Sequence, residues 1–87
     1  VFSWCGEEPA DIDLGIEVHV QIRAHSDPVP ARAERVITEA RVVEIVVRPD
    51  NPLNGVSPGQ TAVLYSDTRV LGQFTIARTT PVAVMAG

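Results

Sequence analysis

Apolar and polar positions alternate with a period of two along much of this chain. Ile16, Val18, Val20 and Ile22 are interleaved with Glu17, His19, Gln21 and Arg23. That period predicts a half-buried strand with its β-branched residues facing inward. Ser26-Asp27-Pro28 ends the pattern, and Pro28 and Pro30 confine the next residues to a turn or a sheet edge. Residues 31–36 hold good helix formers, but six residues are too few to stand as a helix. Between two strands they read as the return arm of a hairpin. Residues 41–48 carry Val42, Val43, Ile45, Val46 and Val47, a strand buried on much of both faces. Pro49-Asp50-Asn51-Pro52 closes it, and a loop runs to Gly59. Strands over 60–66 and 69–77 are joined by Ser66-Asp67-Thr68, a link short enough for a hairpin although it lacks the usual glycine. Pro81 interrupts the tail before a last short strand over 82–85.

Five to six closely spaced strands with no helical pattern predict an all-β fold, a small closed or nearly closed barrel. Closure removes the free strand edges that invite aggregation. The predicted core includes Val18, Val20, Ile22, Val43, Ile45, Val47, Val63 and Phe74. These faces follow from alternation, so a slip of one residue would turn them out. Residues 1–6 are largely apolar around Trp4, and residues 7–13 form an acidic loop. The 87 residues make one domain, spanning 1–87. The chain starts at Val1 and its one Met is Met85. It reads as a piece of a longer protein, with a signal-cleaved mature protein as the rival reading. No apolar run approaches the ~20 residues of a membrane-spanning helix.

Charge and cysteine narrow the functional classes. Seven Arg and no Lys face eleven Asp plus Glu, a net charge of -4. An acidic module is a poor general binder of nucleic acid, because phosphate neutralisation supplies most non-specific affinity. Any RNA contact must be local, through a few Arg on one face. One cysteine excludes an internal disulfide framework and a CxxC metal site, and points to a reducing, cytoplasmic compartment. Cys5 sits among Trp4, Gly6, Glu7 and Glu8, with no cation beside it in sequence to lower its pKa. It reads as a small buried hydrophobe next to Trp4. His19 falls on the polar side of its strand and His25 at the strand end. Two His with no third ligand do not make a metal site. Glu7, Glu8, Asp11 and Asp13 lack the spacing of a calcium loop and read as solvated. There is no phosphate loop and no serine triad motif, and Gly59 supplies positive φ in a Pro58-Gly59 type II turn. What remains is arginine. Arg23, Arg32 and Arg35 lie in or near one hairpin with His25 at its turn, and Arg suits bidentate phosphate contacts. Ordinary surface charge is the competing reading, since Glu17 and Glu34 interleave with them.

Two segments resemble a known family. One runs from Val18-His19-Val20-Gln21-Ile22-Arg23-Ala24-His25 to Val29-Pro30-Ala31. The other is Val56-Ser57-Pro58-Gly59-Gln60-Thr61-Ala62-Val63-Leu64-Tyr65 with Val70-Leu71-Gly72. Their order, with Phe2-Ser3-Trp4 ahead of them, resembles the C-terminal barrel of tRNA-specific 2-thiouridylases. Arg23-Ala24-His25 stands at the family's basic–aromatic–basic triplet, with Ala24 in place of the aromatic, so base stacking there is lost. Gln73 and Phe74 stand where further glycines are common, which argues against a close backbone approach.

The resemblance implies an enzyme that uses ATP and magnesium to activate the wobble uridine and accepts sulfur from a persulfide donor protein. It also implies upstream ATP-pyrophosphatase and central domains that hold the reaction centre. This barrel would hold no cofactor or metal and no catalytic residue. It would help position the anticodon region of tRNA through Arg23, His25 and Arg32. Two alternatives stand beside it: a barrel that only packs on its neighbours, and an unrelated interaction barrel of the translation-factor type. Arg clustered on one open face favours RNA, and salt-paired Arg favours packing.

Overall fold

The computed structural model describes residues 3–22, 27–51, 56–79 and 83–85. Six strands form: β1 (Ile16–Ile22), β2 (Val29–Ile37), β3 (Val43–Pro49), β4 (Thr61–Ser66), β5 (Arg69–Arg78) and β6 (Ala83–Met85). They close into an antiparallel barrel in the order β1-β2-β3-β6-β5-β4. The all-β barrel expected from alternation is therefore what the chain adopts, and residues 31–36 are indeed the return arm of a hairpin, within β2.

The interior is filled by one residue in two from each strand. Val18, Val20 and Ile22 come from β1, Ala31 and Ala33 from β2, Ile45 and Val47 from β3. Ala62 and Leu64 come from β4, Phe74 and Ile76 from β5, and Met85 from β6. The three alanines leave room for the larger side chains, a size alternation that small barrels need to fill a narrow interior. Ile12 is buried in the same cluster, and Trp4 packs partly against it.

Two core assignments made from alternation are corrected. Val63 is only half-buried, because its register partners Gln21 and Gln73 place it on the outer wall and turn Ala62 and Leu64 inward. Val43 has the inward parity of Ile45 and Val47 but is 41% exposed. The β2–β3 ladder runs on to Ile37 opposite Val43, whereas β6 pairs with β3 only at residues 45–47. The hairpin overruns the barrel, so its inward side meets solvent there. Pro30 is also not confined to a turn or edge. It is the second residue of β2, between β1 and β3, and its carbonyl accepts the Asp50 amide at 3.0 Å. Its missing N–H falls at the strand start, where proline is tolerated.

Turn chemistry sets the register. In Ser57-Pro58-Gly59-Gln60, Gly59 takes φ 91° and the Gln60 amide points back to the Ser57 carbonyl at 3.4 Å. This is the expected type II arrangement. The Gln60 side chain accepts the Ser57 amide at 2.8 Å, and the Gly59 amide reaches the Ile76 carbonyl at 2.8 Å. Asp67 supplies the positive φ (55°) in the glycine-free β4–β5 turn, a role open to Asp because it tolerates the left-handed region.

Residues 3–15 strap one end of the barrel. Cys5 donates its amide to the Leu71 carbonyl at 2.7 Å, and Gln73 donates to the Ser3 carbonyl at 3.2 Å. A close backbone approach at this point therefore exists, contrary to the expectation from Gln73 and Phe74. Gly72 makes it possible: a Cβ there would lie 2.8 Å from the Ser3 carbonyl oxygen and 2.8 Å from the Phe74 ring. Backbone cannot yield as a side chain does. Gly72→Ala should destabilise the barrel by about 1–3 kcal/mol, the usual range for overpacking, read as a lower urea midpoint. A midpoint equal to wild type would show that the strap does not press on β5.

Candidate nucleic-acid interface

Barrel topology divides the connections between two ends. At one end lie the end of β1, the start of β2, the Pro58-Gly59 turn and the start of β6. At the other lie the strap, the β2–β3 turn and the β4–β5 turn. Arg23 and His25 belong to the β1–β2 connection in sequence and lie outside the described residues. Arg32 is described. It sits opposite Glu17 on one side and Arg48 on the other, on the outer wall. Its Nη2 donates to the Leu14 carbonyl at 3.3 Å and to the Gly15 carbonyl at 3.1 Å, and the side chain is otherwise exposed.

Carboxylates engage three other arginines. Arg35 donates through Nε and Nη2 to both Asp13 oxygens, at 2.7 and 2.8 Å, and through Nη1 to Glu8 at 2.6 Å. Glu8 in turn accepts the Trp4 indole N–H at 3.0 Å, and the Trp4 ring meets Phe74 edge-on with centroids 5.0 Å apart. Arg78 makes a bidentate pair with Glu44 at 2.6 and 2.9 Å. Arg48 donates to Glu34 at 3.2 Å. Arg41 and Arg69 are exposed and make no ion pair among the described residues.

The acidic loop is thus more than a solvated charge run. Glu8 and Asp13 are the two jaws that hold Arg35, and through it fasten the strap to β2. The signal was faint in sequence, because the pairs span 27 and 22 residues. Cys5 is exposed, which corrects the expectation of burial. Trp4 turns toward Phe74, so the next residue of the extended strap points the other way. His19 is exposed on the outer face of β1, as its parity required. No group of three His, Cys, Asp or Glu gathers in metal-binding geometry among the described residues. Among those residues, no helix is long and apolar enough to cross a membrane.

The ion pairs leave a mark on acid behaviour. Hydrogen bonds from Arg35 hold the Asp13 carboxyl below its ordinary 3.8, and those from Arg78 hold Glu44 below its ordinary 4.5. A depressed native pKa stabilises above the unfolded value and loses that stability as pH falls through the native one. Unfolding resistance should therefore drop as pH falls below about 4.5. The Glu44 side chain is 13% exposed and that of Asp13 is 60%, so salt should screen the second pair more. Urea midpoints from neutral pH to pH 3 should flatten in Glu44→Gln more than in Asp13→Asn, and added salt should erase mainly the Asp13 contribution. Equal acid profiles for wild type and Glu44→Gln would remove the pair from this role.

The chain matches the aminomethyltransferase beta-barrel domain family over residues 1–76. It is 57% identical over 79 residues to the tRNA-specific 2-thiouridylase MnmA of Leifsonia xyli, a match covering 88% of this chain and 20% of that protein. It is 53% identical over 78 residues to the protein of the same name from Clavibacter michiganensis, covering 90% and 20%. A third, from Acidothermus cellulolyticus, is 48% identical over 81 residues, covering 93% and 20%. The chain thus spans about a fifth of the length of these curated relatives. No solved structure matches it.

Proposed function

The chain belongs to the aminomethyltransferase beta-barrel domain family, and from that membership we propose that it is the C-terminal barrel of a larger tRNA-specific 2-thiouridylase. In this reading the barrel helps hold tRNA near the anticodon while upstream domains transfer sulfur to the wobble uridine. The observation that carries it is the identity of 57% across nearly the whole barrel to a protein named for that activity. The parent would use ATP and magnesium, take sulfur from a persulfide donor protein and work in the cytoplasm. An upstream ATP-pyrophosphatase domain and a central domain would carry that chemistry. The barrel alone would hydrolyse no ATP and transfer no sulfur. Family membership leaves no place for an unrelated interaction barrel.

Arg23 and His25, and secondarily Arg32, are the residues assigned to the tRNA backbone. Their support is position in the family's basic triplet and, for Arg32, an exposed guanidinium beside Arg48 on the outer wall. A second reading, a barrel that only packs on its neighbours, has its own observation. Arg35, Arg48 and Arg78 are each engaged by a carboxylate.

Salt-dependent tRNA binding by the full-length protein separates the two. Arg23→Ala with His25→Ala should weaken binding and reduce the salt slope by about one for each phosphate no longer neutralised. Arg32→Ala should do so less, and ATP affinity should hold. An unchanged affinity and slope would leave the packing reading in place. Turnover offers an independent check. Cys5→Ser should leave it nearly intact, and a loss of about a hundredfold with the fold preserved would mean that Cys5 stabilises the transition state.

A further inference from the structure

The outer wall over β4, β1 and β2 gathers rings in one row. Register pairs Tyr65 with His19 and His19 with Pro30. All three point outward, since their chain neighbours Leu64, Val20 and Ala31 are buried. His19 and Pro30 are exposed and Tyr65 is half-buried. Tyr65 does not stand straight off the sheet. Its hydroxyl donates to Gln21 Oε1 at 2.9 Å, two residues along β1 from its register partner His19. A side chain tied down in that direction lies along the wall, with one ring face against it and the other toward solvent. Trp4 and Phe74 pack on each other, whereas Tyr65 has no ring partner among the described residues. Cations border the row. Arg32 follows Pro30 by two residues on the same face, and Arg48 is its partner on β3. Hydrogen bonds from Arg32 to the Leu14 and Gly15 carbonyls use Nη2, leaving Nη1 for a phosphate.

We propose that this row is a stacking platform for an unpaired nucleobase of RNA, with the base on Tyr65, His19 beside it and Arg32 on the adjoining phosphate. The inference deepens the reading of the chain as a tRNA-holding barrel and rests on it. Glu17 stands opposite Arg32, and Glu34 pairs with Arg48 at 3.2 Å, so two arginines face two glutamates and the wall has no net charge to draw in a backbone. A ring face holds a base without it, because every base has a π-face. Position favours the same occupant. Past Gln21 and Ile22 the sequence runs on to Arg23 and His25, the residues assigned to the backbone, and a strand held there is within reach of the wall. Ala24 leaves that triplet without an aromatic, and Tyr65 supplies one nearby. A protein partner is disfavoured, since three small-area rings fall far short of the ~1,000 Å² of a stable interface.

The affinity of the full-length protein for a tRNA transcript and for an unstructured uridine oligonucleotide, each across a range of salt, tests this. Tyr65→Leu keeps an apolar side chain but loses the ring face, and should weaken both by at least about fivefold. The salt slope should stay as in wild type, because no phosphate contact is lost. Tyr65→Phe gives up the Gln21 hydrogen bond but keeps the face, and should bind within about twofold of wild type. An abasic oligonucleotide of the same length should not tell Tyr65→Leu from wild type. Equal affinity of wild type and Tyr65→Leu for both RNAs overturns the proposal. So does an equal loss in Tyr65→Phe, which would make the hydroxyl the cause, or an equal loss on the abasic strand, which would mean a disturbed fold. The thiouridylase reading fails separately: a wild-type protein that transfers no sulfur, yet binds the uridine oligonucleotide through Tyr65, loses that reading and keeps the platform.

Discussion

Closure through β6 is the constraint on which the rest of the barrel depends. Three residues, Ala83–Met85, pair with β3 on one side and β5 on the other. Without them both flanking strands would keep free edges, and Ile45 and Ile76 would lose the Met85 side chain that both register against. So short a strand is weak by itself, and the outer wall reinforces it. A register shift between Ile76 and Arg78 brings Arg78 opposite the outward Val84. From there its guanidinium reaches across β6 to Glu44 on β3. Val46 and Val84, cross-strand partners, are buried on the outside of the barrel, so the seam is sealed on both faces.

The strap closes one end by different means. Ile12 enters the core as a plug, and its carbonyl takes the Arg35 amide at 2.9 Å. Around it runs a chain of interactions from Phe74 to Trp4, Glu8, Arg35 and Asp13. Arg35 has inward parity on β2, a position where a charge would be costly deeper in the barrel. At the rim it is satisfied by two carboxylates and stays partly hydrated, so it can anchor the loop without being buried.

Strand existence was legible in the sequence because alternation is a local signal. β1 could be read from four apolar residues spaced by two, and the Pro58-Gly59 turn from its own dipeptide. What local pattern could not supply was where each strand runs out of partners. Val43 has the right parity and the wrong neighbourhood, because β6 pairs with β3 no further than Ile45. Val63 sits between Ala62 and Leu64 in an apolar run, where parity is ambiguous until Gln21 and Gln73 are seen beside it. The arginines divide the same way. Their partners Glu8, Asp13 and Glu44 lie 22 to 34 residues away, so a reading of neighbours in sequence saw only a mixed charged surface.

The seam also fixes the order in which the barrel can be completed on a ribosome. β3 is finished at Pro49, whereas its second partner begins at Ala83. At about 5–20 residues per second, the gap is on the order of a few seconds. During that interval a nascent chain displays a β3 edge rich in valine and isoleucine, with nothing to pair against. Any chaperone contact with this domain should therefore concentrate on the window between those two strands, and a slower codon run there would lengthen the exposure.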